Sequence, residues 1–497
     1  MTATVMTRLI ALPVIIPLVA AGLCIVIGRS RRAQRTVSVG ALVATTGVSI
    51  ALLIGADRDG QLVTQGGGWP APVGITLVVD RFSGIMLTVG SLMLLAVLLY
   101  AIGQPGAERN HVGFQSAYLI MAAGVAGSFV VGDLFTLFVS FEMMLTASYV
   151  LLTLGGGRDQ VRSGMTYVVI SLVASTLFIT ALALLYAATG TVNMADLSGK
   201  LAELPTGVQQ AFAVLLLVVF GIKAGLFPLF SWLPDSYPVA PSAVTAVFAG
   251  LLTKVGVYAM IRSQTLLFPA DSRPATLMLW LAGLTMVIGI LGAIAQDDVK
   301  RILSFNIVSH IGFMVMGLAL FSVAGLAAAI FYTMHHIVAK TTLFLTGGLI
   351  EHVGGSSQLS RLGNLVRTAP LVAVLFLVPA LTLAGVPPLS GFVPKLGLIA
   401  AGFDQGQYTI VIVSLVASLL TLLSMMKIWL GAFWGDVAPG AEAAVGRRGP
   451  ALMIAPTIAL ALVSVAIAVA AGPLYRLCER AAGDLLDPVG YVQAVLG

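Results

Sequence analysis

The chain has 497 residues, of which 59% are hydrophobic and only 9% are charged, and its mean hydropathy is +1.03. So little polar surface excludes a soluble domain. The net charge of +6 indicates topology rather than nucleic-acid binding, because membrane proteins collect basic residues in the loops of one side.

Apolar runs long enough to cross a membrane recur from one end of the chain to the other. We therefore predict an all-α polytopic membrane protein with about fourteen transmembrane helices. The first run is predicted to be a span rather than a cleaved signal, because it lacks a clear cleavage site. The predicted spans are 5–28, 36–56, 81–103, 113–131, 134–154, 162–189, 208–231, 240–262, 274–295, 302–320, 323–350, 370–399, 408–434 and 450–472.

Basic residues are distributed unevenly between the loops on the two sides of these spans. Thirteen fall on one side, here called the basic side, among them those of the run RSRRAQR at 29–35, and eight fall on the other. The positive-inside rule predicts that the basic side is cytoplasmic and that both termini are outside.

Five of the 26 basic residues remain, and all are lysines inside predicted spans. A charged side chain at the middle of a membrane helix costs at least about 2.5–3.5 kcal/mol, so such residues usually serve a function. A desolvated lysine can release its proton and an arginine cannot, which favours a proton relay over structural ion pairs. Lys427 lies near a span end, where it can instead reach water. The other four are Lys223, Lys254, Lys340 and Lys395.

One acid and three histidines also lie inside predicted spans. Glu142 can pair with a buried lysine of another helix, either as part of a relay or as a static pair that specifies packing. His336 and Lys340 share a helix face and, with the adjacent His335, can form a relay segment. His310 stands alone in the preceding span and is interpreted as a core residue.

No cofactor is expected. Two cysteines, Cys24 and Cys478, are too few for an iron–sulfur cluster or a disulfide framework. Neighbouring histidines point in different directions on a helix, and no acid or cysteine joins them, so no metal site is predicted. The GGG runs at 66–68 and 155–157 lack the lysine and the strand context of a phosphate-binding loop.

Two pairs of similar segments indicate a duplication. AGLFPLFSWLPD at 224–235 matches AGVPPLSGFVPK at 384–395, and VSFEMMLTASY at 139–149 matches LSFNIVSHIGF at 303–313. They define two five-helix units, 113–262 and 274–434, after N-terminal helices in 1–112 and before a last helix and tail in 450–497. Because five is odd, the second unit enters from the opposite face, which predicts an inverted repeat.

The AGxxPL motif of each unit is expected to break a helix. Proline removes a backbone donor and clashes with the preceding turn, and broken helices inside a membrane line cavities in transporters. Lys223 precedes the first predicted break and Lys395 follows the second. The residues expected to form the breaks are Gly225, Pro228, Pro234, Gly385, Pro387, Pro388 and Pro394.

These motifs carry a family resemblance over nearly the whole chain. VGDLFTLFVSFEMMLTASYVLLTLGG, GIKAGLFPLFSWLPDSYPVAPSAVTAVFAGLLTKVGVYA, HHIVAKTTLFLTGG and AGVPPLSGFVPK resemble the antiporter-like membrane subunits of respiratory complex I and of Mrp-type multisubunit cation/proton antiporters. The chain length and the FVSFEMMLTASYVLLTLGG wording favour the D-subunit family of the Mrp antiporters.

The resemblance implies residue roles, partners and a location. It implies other antiporter subunits as partners, the bacterial cell (inner) membrane as location, and H⁺ and Na⁺, K⁺ or Li⁺ as ions, with no nucleic acid involved. It also implies a hydrated proton relay across the middle of the membrane, formed by Glu142, Lys223, Lys254, His335, His336, Lys340 and Lys395.

Three functions stay open from the sequence. The first is a proton-translocating subunit of a monovalent cation/proton antiporter, which is a transporter subunit and not an enzyme. The second is a proton-pumping membrane subunit of a complex I-like NADH dehydrogenase or a membrane-bound hydrogenase. The third is a scaffold subunit without a working relay, against which the intact set of buried charges argues.

Overall fold

The computed structural model describes residues 3–108, 113–436 and 449–497. Most of this part of the chain is helical, which confirms the predicted fold class. Arg109, Arg447 and Arg448, which are counted toward the basic side, lie outside the described residues.

The first half of the chain folds into helices of very different length. In chain order they are α1 (Ala3–Leu9), α2 (Leu12–Ile27), α3 (Arg31–Asp59), α4 (Arg81–Gly103), α5 (Phe114–Val130), α6 (Leu134–Thr153), α7 (Arg158–Thr189), α8 (Met194–Ala202), α9 (Thr206–Ala224), α10 (Trp232–Ser236), α11 (Ser242–Val247) and α12 (Thr253–Leu266). A π-helical turn, Phe248–Leu252, joins α11 to α12, so that Ser242–Leu266 is one continuous span.

The second half continues in the same way. Its helices are α13 (Ala275–Ile294), α14 (Val299–Ala319), α15 (Val323–Gly354), α16 (Leu365–Thr368), α17 (Pro370–Ala384), α18 (Phe392–Asp404), α19 (Tyr408–Ile428), α20 (Ala451–Val469), α21 (Ala471–Leu486) and α22 (Val489–Leu496). A second π-helical turn, Trp429–Trp434, extends α19.

Twelve helices in the described part of the chain are long and apolar enough to cross a membrane, and α5 and α17 are shorter apolar helices. Together they coincide with the fourteen predicted spans. α17 is short because it ends at the second predicted break, after which α18 continues the span. The chain is therefore an integral membrane protein.

Three spans form the centre of the bundle. The continuous span Ser242–Leu266, α14 and α15 are buried almost throughout. α15 contacts α4, α11, α14, α17, α18, α20 and α21. Peripheral helices such as α2, α7 and α19 expose many large apolar side chains, as surfaces that face lipid tails do. Polar side chains on the three central helices are therefore enclosed by protein.

The side opposite the basic side carries two features that the sequence analysis did not predict. A β-hairpin pairs β1 (Leu62–Gly66) with β2 (Ile75–Val79) in antiparallel register. The predicted tail folds into α21 and α22, and α21 packs across α15 and α4. Helices α1 and α22 both contact β1, so the two ends of the chain lie on the same side.

A buried ion pair ties the end of the chain to the bundle on this side. Arg262 donates hydrogen bonds of 2.6 and 2.8 Å to the two carboxylate oxygens of Asp80, and its guanidinium packs against Tyr491 of α22. Asp80 also caps α4 by accepting from the backbone N–H of Ser83. Burial alone would raise the pKa of Asp80, but Arg262 and these hydrogen bonds outweigh it and hold the pKa below its usual value.

Replacing Asp80 by alanine is expected to destabilise the folded protein by about 3–5 kcal/mol, because Arg262 keeps a buried charge without a partner. The pKa of Asp80 is lower in the folded than in the unfolded protein. The contribution is therefore present above the unfolded value of about 3.9 and lost as the pH falls through the lower folded value. Thermal unfolding in detergent at several pH values measures both effects, with Asp487→Ala on the exposed surface as control. Equal stability of the Asp80 variant and the wild type would contradict the prediction.

Candidate functional site

Ionisable side chains lie near the midpoints of α6 and of the three central spans, and together with neighbouring polar residues they form an arrangement here called the polar row. Glu142 is the ninth of 20 residues in α6, and His310 is the twelfth of 21 in α14. Lys340 is the eighteenth of 32 residues in α15, and Lys254 is the thirteenth of 25 in Ser242–Leu266. The polar row consists of Glu142, Ser175, Lys223, Lys254, His310, His335, His336, Lys340 and Lys395.

The first group of the polar row joins Glu142 to Lys223 through a hydroxyl. The ammonium of Lys223 donates a hydrogen bond of 2.9 Å to Ser175 of α7, and the Ser175 hydroxyl donates to the carboxylate of Glu142. The Lys223 Nζ and the Glu142 Oε1 are 3.9 Å apart. The pair that the sequence predicted is therefore present, and Ser175 is a bridging residue that the sequence analysis missed.

The backbone at the end of α9 places Lys223. Gly225 has a positive φ of 80°, and its N–H bonds to the carbonyl of Gly221, as does the N–H of Leu226. This arrangement ends a helix with a left-handed residue that glycine adopts without strain. Lys223 thus stands in the last turn of α9, directly before the first break.

Lys254 lies directly after the π-helical turn Phe248–Leu252. Its ammonium donates to the Ala249 carbonyl at 2.6 Å and to the Thr253 hydroxyl at 3.2 Å, and the residue is completely buried. No carboxylate in the described part of the chain forms an ion pair with it. A π-helical turn often marks a functional position in a helix, and here a carbonyl of that turn binds the ammonium.

Lys340 and the two adjacent histidines are enclosed in the centre of α15. The Lys340 ammonium and all four ring nitrogens of His335 and His336 are buried and make no hydrogen bond to any described residue. The Lys340 Nζ lies 6.0 Å from the ring centroid of Phe344. A Cβ on Gly250 would collide with the Thr341 hydroxyl, so the π-helical turn before Lys254 packs against α15 beside Lys340.

His310 lies beside this group, although the sequence analysis interpreted it as an isolated core residue. Its ring is hydrogen-bonded to Tyr332 and, at 2.9 Å, to Asn306, and the Asn306 amide donates to Ser424. The rings of His310 and His336 are 5.0 Å apart between centroids. The His310 ring has hydrogen-bond partners, as a core histidine would, and at the same time it belongs to the polar row.

Lys395 lies at the second break. Its ammonium donates hydrogen bonds of 2.9 and 3.0 Å to the carbonyls of Leu383 and Ala384, the last residues of α17. These carbonyls form the negative end of the helix dipole and favour a cation. A Cβ on Gly391 would collide with the backbone and lie 3.2 Å from the His335 ring, so this turn passes directly over His335.

The predicted break residues lie in the two links and in the helices that follow. α9 and α17 both end one residue before a glycine with positive φ, 80° at Gly225 and 85° at Gly385. Pro228, Pro387 and Pro388 lie in the non-helical links. Pro234 and Pro394 are instead the third residues of α10 and α18, in the first turn, where proline is tolerated.

The structure separates the polar row into two groups. Lys223 pairs with Glu142 and Ser175, whereas the remaining members surround Lys254 and Lys340. Among the described residues no hydrogen bond links the two groups. The helices that carry them are nevertheless in close contact, since a Cβ on Gly256 of α12 would lie within 3.0 Å of the backbone of α9 at Lys223 and Ala224. A cavity of about 10 Å³ is lined by Lys223 of the first group and by Leu252, which lies two residues before Lys254 of the second group. This volume can hold about one water molecule.

Lys427 lies outside the polar row. It donates to the carbonyls of Ile294 and Gln296 and pairs with Asp297 at 2.8 Å at the basic side. This geometry agrees with a lysine that reaches the membrane surface.

A helical bundle that encloses lysines and histidines at the middle of its spans, with a carboxylate beside them at its edge, belongs to the polytopic membrane proteins that hold ionisable groups at membrane depth. A family model described as NADH:quinone oxidoreductase/Mrp antiporter, TM, matches residues 131–421. The D subunit of the Na(+)/H(+) antiporter of Alkalihalophilus pseudofirmus is 44% identical over 493 residues, which are 99% of this chain and 100% of that protein.

Solved structures agree with this similarity. A chain of the Mrp complex from Dietzia sp. is 36% identical, with a TM-score of 0.93 over 99% of this chain and 100% of that one. A chain of the membrane-bound sulfane sulfur reductase, an archaeal respiratory membrane complex, is 26% identical, with a TM-score of 0.89 over 98% and 99%. The chain belongs to the NADH:quinone oxidoreductase/Mrp antiporter family of transmembrane subunits, and its predicted resemblance to the D-subunit family of the Mrp antiporters is confirmed.

Proposed function

We propose that the chain is a proton-translocating subunit of a multisubunit Na⁺/H⁺ antiporter, and thus a transporter subunit rather than an enzyme. The observation that carries the proposal is the hydrogen-bonded series from Glu142 through Ser175 to Lys223. It joins the carboxylate at the middle of α6 to a lysine at a helix break. The names of the relatives that match the whole chain support the same function.

The proposed mechanism moves a proton by changing the distance between charges. While Ser175 bridges Glu142 and Lys223, the carboxylate favours the protonated lysine. When the end of α9 moves away, Lys223 gives its proton to water, and Lys254 takes one from water. The proton then passes among Lys254, His336 and Lys340, and from there to Lys395, whose ammonium is held by the end of α17.

The two five-helix units, 113–262 and 274–434, are proposed to be inverted repeats. Asp133 caps α6 and forms a β-bridge with Asn193, while Asp298 caps α14 and forms a β-bridge with Gln358. Each pair holds a helix start against a distant loop of its own unit. These matching contacts, together with the matching ends of α9 and α17, support the duplication. The matching segments 139–149 and 303–313 are offset by 164 residues, which pairs Asp133 with Asp297, whereas in the structure Asp298, one residue later, takes the capping position.

Other antiporter subunits are the proposed partners. The Glu142 side chain remains 30% exposed on the isolated chain, at a depth where an uncovered carboxylate would face lipid at high cost. A neighbouring subunit that covers this face of α6 removes that cost. We place the assembly in the bacterial cell membrane, with the basic side in the cytoplasm and both termini outside.

Ion transport in inverted vesicles tests the proposal. The host lacks its own Na⁺/H⁺ antiporters and expresses the complete set of antiporter subunits, and ΔpH is followed by dye fluorescence. We expect addition of Na⁺ to dissipate ΔpH with the wild-type chain and not with vector alone. No redox substrate is supplied once the vesicles have been energised.

The alternative is a proton-pumping subunit of a redox complex. The similarity to a chain of an archaeal respiratory membrane complex, which extends over nearly the whole length of both chains, supports this second function. Proton pumping that requires an electron donor, with no response to Na⁺ or K⁺, would replace the antiporter proposal by this one.

Replacing Ser175 by alanine is expected to slow Na⁺-dependent dissipation of ΔpH about tenfold, because a hydrogen bond to a charged group is worth about 1.5–3 kcal/mol. Lys223 and Glu142 remain, so transport is reduced rather than abolished. Thr176→Ala is the matched control, since among the described residues the Thr176 hydroxyl bonds to the Leu172 carbonyl of its own helix. Equal rates for both variants would show that Ser175 is not a bridge in transport.

A further inference from the structure

A polar cavity opens at the basic side of the bundle, away from the polar row. Its volume is about 370 Å³. At about 30 Å³ for each water molecule, this is enough for about ten of them. It lies between the loop after α4, the loop before α11, the first turn of α14 and the last turns of α15. We call it the vestibule and define it by the polar residues that line it, which are Gln104, Gln160, Ser242, Lys300, Glu351 and His352.

An ion pair stands at the wall of the vestibule. Lys300 pairs with Glu351 at 2.6 Å; the Lys300 side chain is 8% exposed, whereas the Glu351 side chain is 42% exposed. The Ser242 hydroxyl donates to the same carboxylate at 3.3 Å. Glu351 is therefore a carboxylate that touches water on one side and a buried ammonium and a hydroxyl on the other.

Hydroxyl groups continue from this carboxylate toward the polar row. A Cβ on Gly348 would collide with both the Tyr100 hydroxyl and the Ser242 side chain, so the two hydroxyls flank the same glycine. The Tyr100 hydroxyl donates at 2.9 Å to the carbonyl of Leu345, one turn deeper in α15. Tyr100 is completely buried, and the polar path thus enters the protein.

Helix geometry aligns the two ends of this path. Glu351 follows Lys340 by eleven residues of α15, which is close to three turns, so the two residues share one face about 16 Å apart. Ser242 is the first residue of the span that carries Lys254. Two of the helices that border the vestibule, α11 and α15, therefore lead toward lysines of the polar row that form no ion pair with a described residue.

We propose that the vestibule is the site at which the aqueous phase on the basic side exchanges protons with the polar row, and that Glu351 is the group that binds them. The carboxylate takes a proton from a hydronium ion, leaving water. The Ser242 hydroxyl, which donates to this carboxylate in the structure, then turns, accepts the proton from Glu351 and gives its own proton to the Tyr100 oxygen. Tyr100 releases its proton to a water molecule, which delivers it to the neutral Lys340 amine. Lys300 is a positioning residue that holds the carboxylate between water and Ser242. This inference rests on the proposed proton translocation.

Charge variants separate this proposal from a purely structural ion pair. We expect Glu351→Gln to slow Na⁺-dependent dissipation of ΔpH about a hundredfold, the low end of the effect of a proton-transfer group. The double variant Lys300→Met/Glu351→Gln removes both charges and should stay equally slow, since it still lacks a carboxylate. If the ion pair is only structural, the double variant is expected to transport faster than Glu351→Gln, because the double variant leaves no buried charge without a partner. Wild-type rates in the double variant or in Glu351→Gln would overturn the proposal.

The ion pair of Asp235 with Arg301, 3.4 Å apart and exposed, supplies the matched control. Asp235 lies outside the vestibule residues, and we expect Asp235→Asn to transport at the wild-type rate. If the wild type itself shows no Na⁺ response but pumps with an electron donor, the antiporter function fails, and the same variants are then compared by donor-driven pumping. The proposed proton translocation, and with it the proposed role of the vestibule, fails if the wild type shows neither a response to Na⁺ nor proton pumping with an electron donor.

Chemical modification tests the vestibule without replacing Lys300 or Glu351. His352→Cys and Asp235→Cys are each treated with a membrane-impermeant bulky thiol reagent from the basic side, and the rate after treatment is divided by the rate before. We expect a ratio near zero for His352→Cys and near one for Asp235→Cys and for the wild type, whose Cys24 and Cys478 are buried. Equal ratios for the two variants would contradict a path through the vestibule.

Discussion

Replacing Glu142 by glutamine is expected to abolish Na⁺-dependent dissipation of ΔpH, with a rate below about 1% of wild type, in line with loss of a proton-transfer group. The glutamine keeps the shape of the side chain and can still accept from Ser175. It carries no charge, however, so nothing holds a proton on Lys223 when the two helices are close. The measurement is the vesicle assay, with complex assembly checked by the amount of each subunit after purification.

Glu479→Gln on the exposed face of α21 is the control for removal of a carboxylate. The reverse experiment, Lys223→Met, should give the same loss as Glu142→Gln, because both variants remove the same pair. Full transport in both would defeat the relay, since the group from Glu142 to Lys223 would then be dispensable.

Replacing Lys254 by either methionine or arginine is expected to abolish transport to a similar degree. Methionine fills the space without a proton-binding group. Arginine keeps its charge in proteins and does not release a proton, so it blocks exchange although it conserves the charge. Lys254 is bound only by a carbonyl and a hydroxyl among the described residues, which leaves it free to lose its proton without stranding an acid.

The same assay measures both Lys254 variants, and Lys427→Met is the control lysine. Lys427 bonds to backbone carbonyls near the basic side, and we expect a mild effect there. Wild-type transport in Lys254→Arg would contradict proton exchange at this position. Complete loss in Lys427→Met would instead show that the transport path includes the end of α19.

The charged members of the polar row were predictable from sequence because a lysine or glutamate inside an apolar run has a cost that only a function or a partner explains. Ser175 was not predictable. Hydroxyl residues are common in spans and usually bond to a carbonyl of their own helix, as Thr176 does. Ser175 differs from Thr176 only in the packing of α7 against α6 and α9, which brings the Ser175 hydroxyl between Glu142 and Lys223.

His310 shows a second limit of sequence reasoning. Its neighbours Asn306, Tyr332 and His336 come from its own helix and from α15, and one span viewed alone carries no sign of the second helix. The β-hairpin and α21 were missed for other reasons. The hairpin strands are five residues each and flank a Gly/Pro-rich loop, and α21 mixes charged with apolar residues and so forms no apolar run.

The polar row holds four lysines and one carboxylate, and that carboxylate is beside Lys223 alone. Lys254 and Lys340 lie on helices that pack together at Gly250 and Thr341, and neither forms an ion pair with a described carboxylate. Two such cations repel in an apolar interior, so a proton on one disfavours a proton on the other. We therefore expect occupancy of the polar row to be anticooperative: in the proposed relay, a proton that arrives at one of these two lysines favours release of a proton from the other.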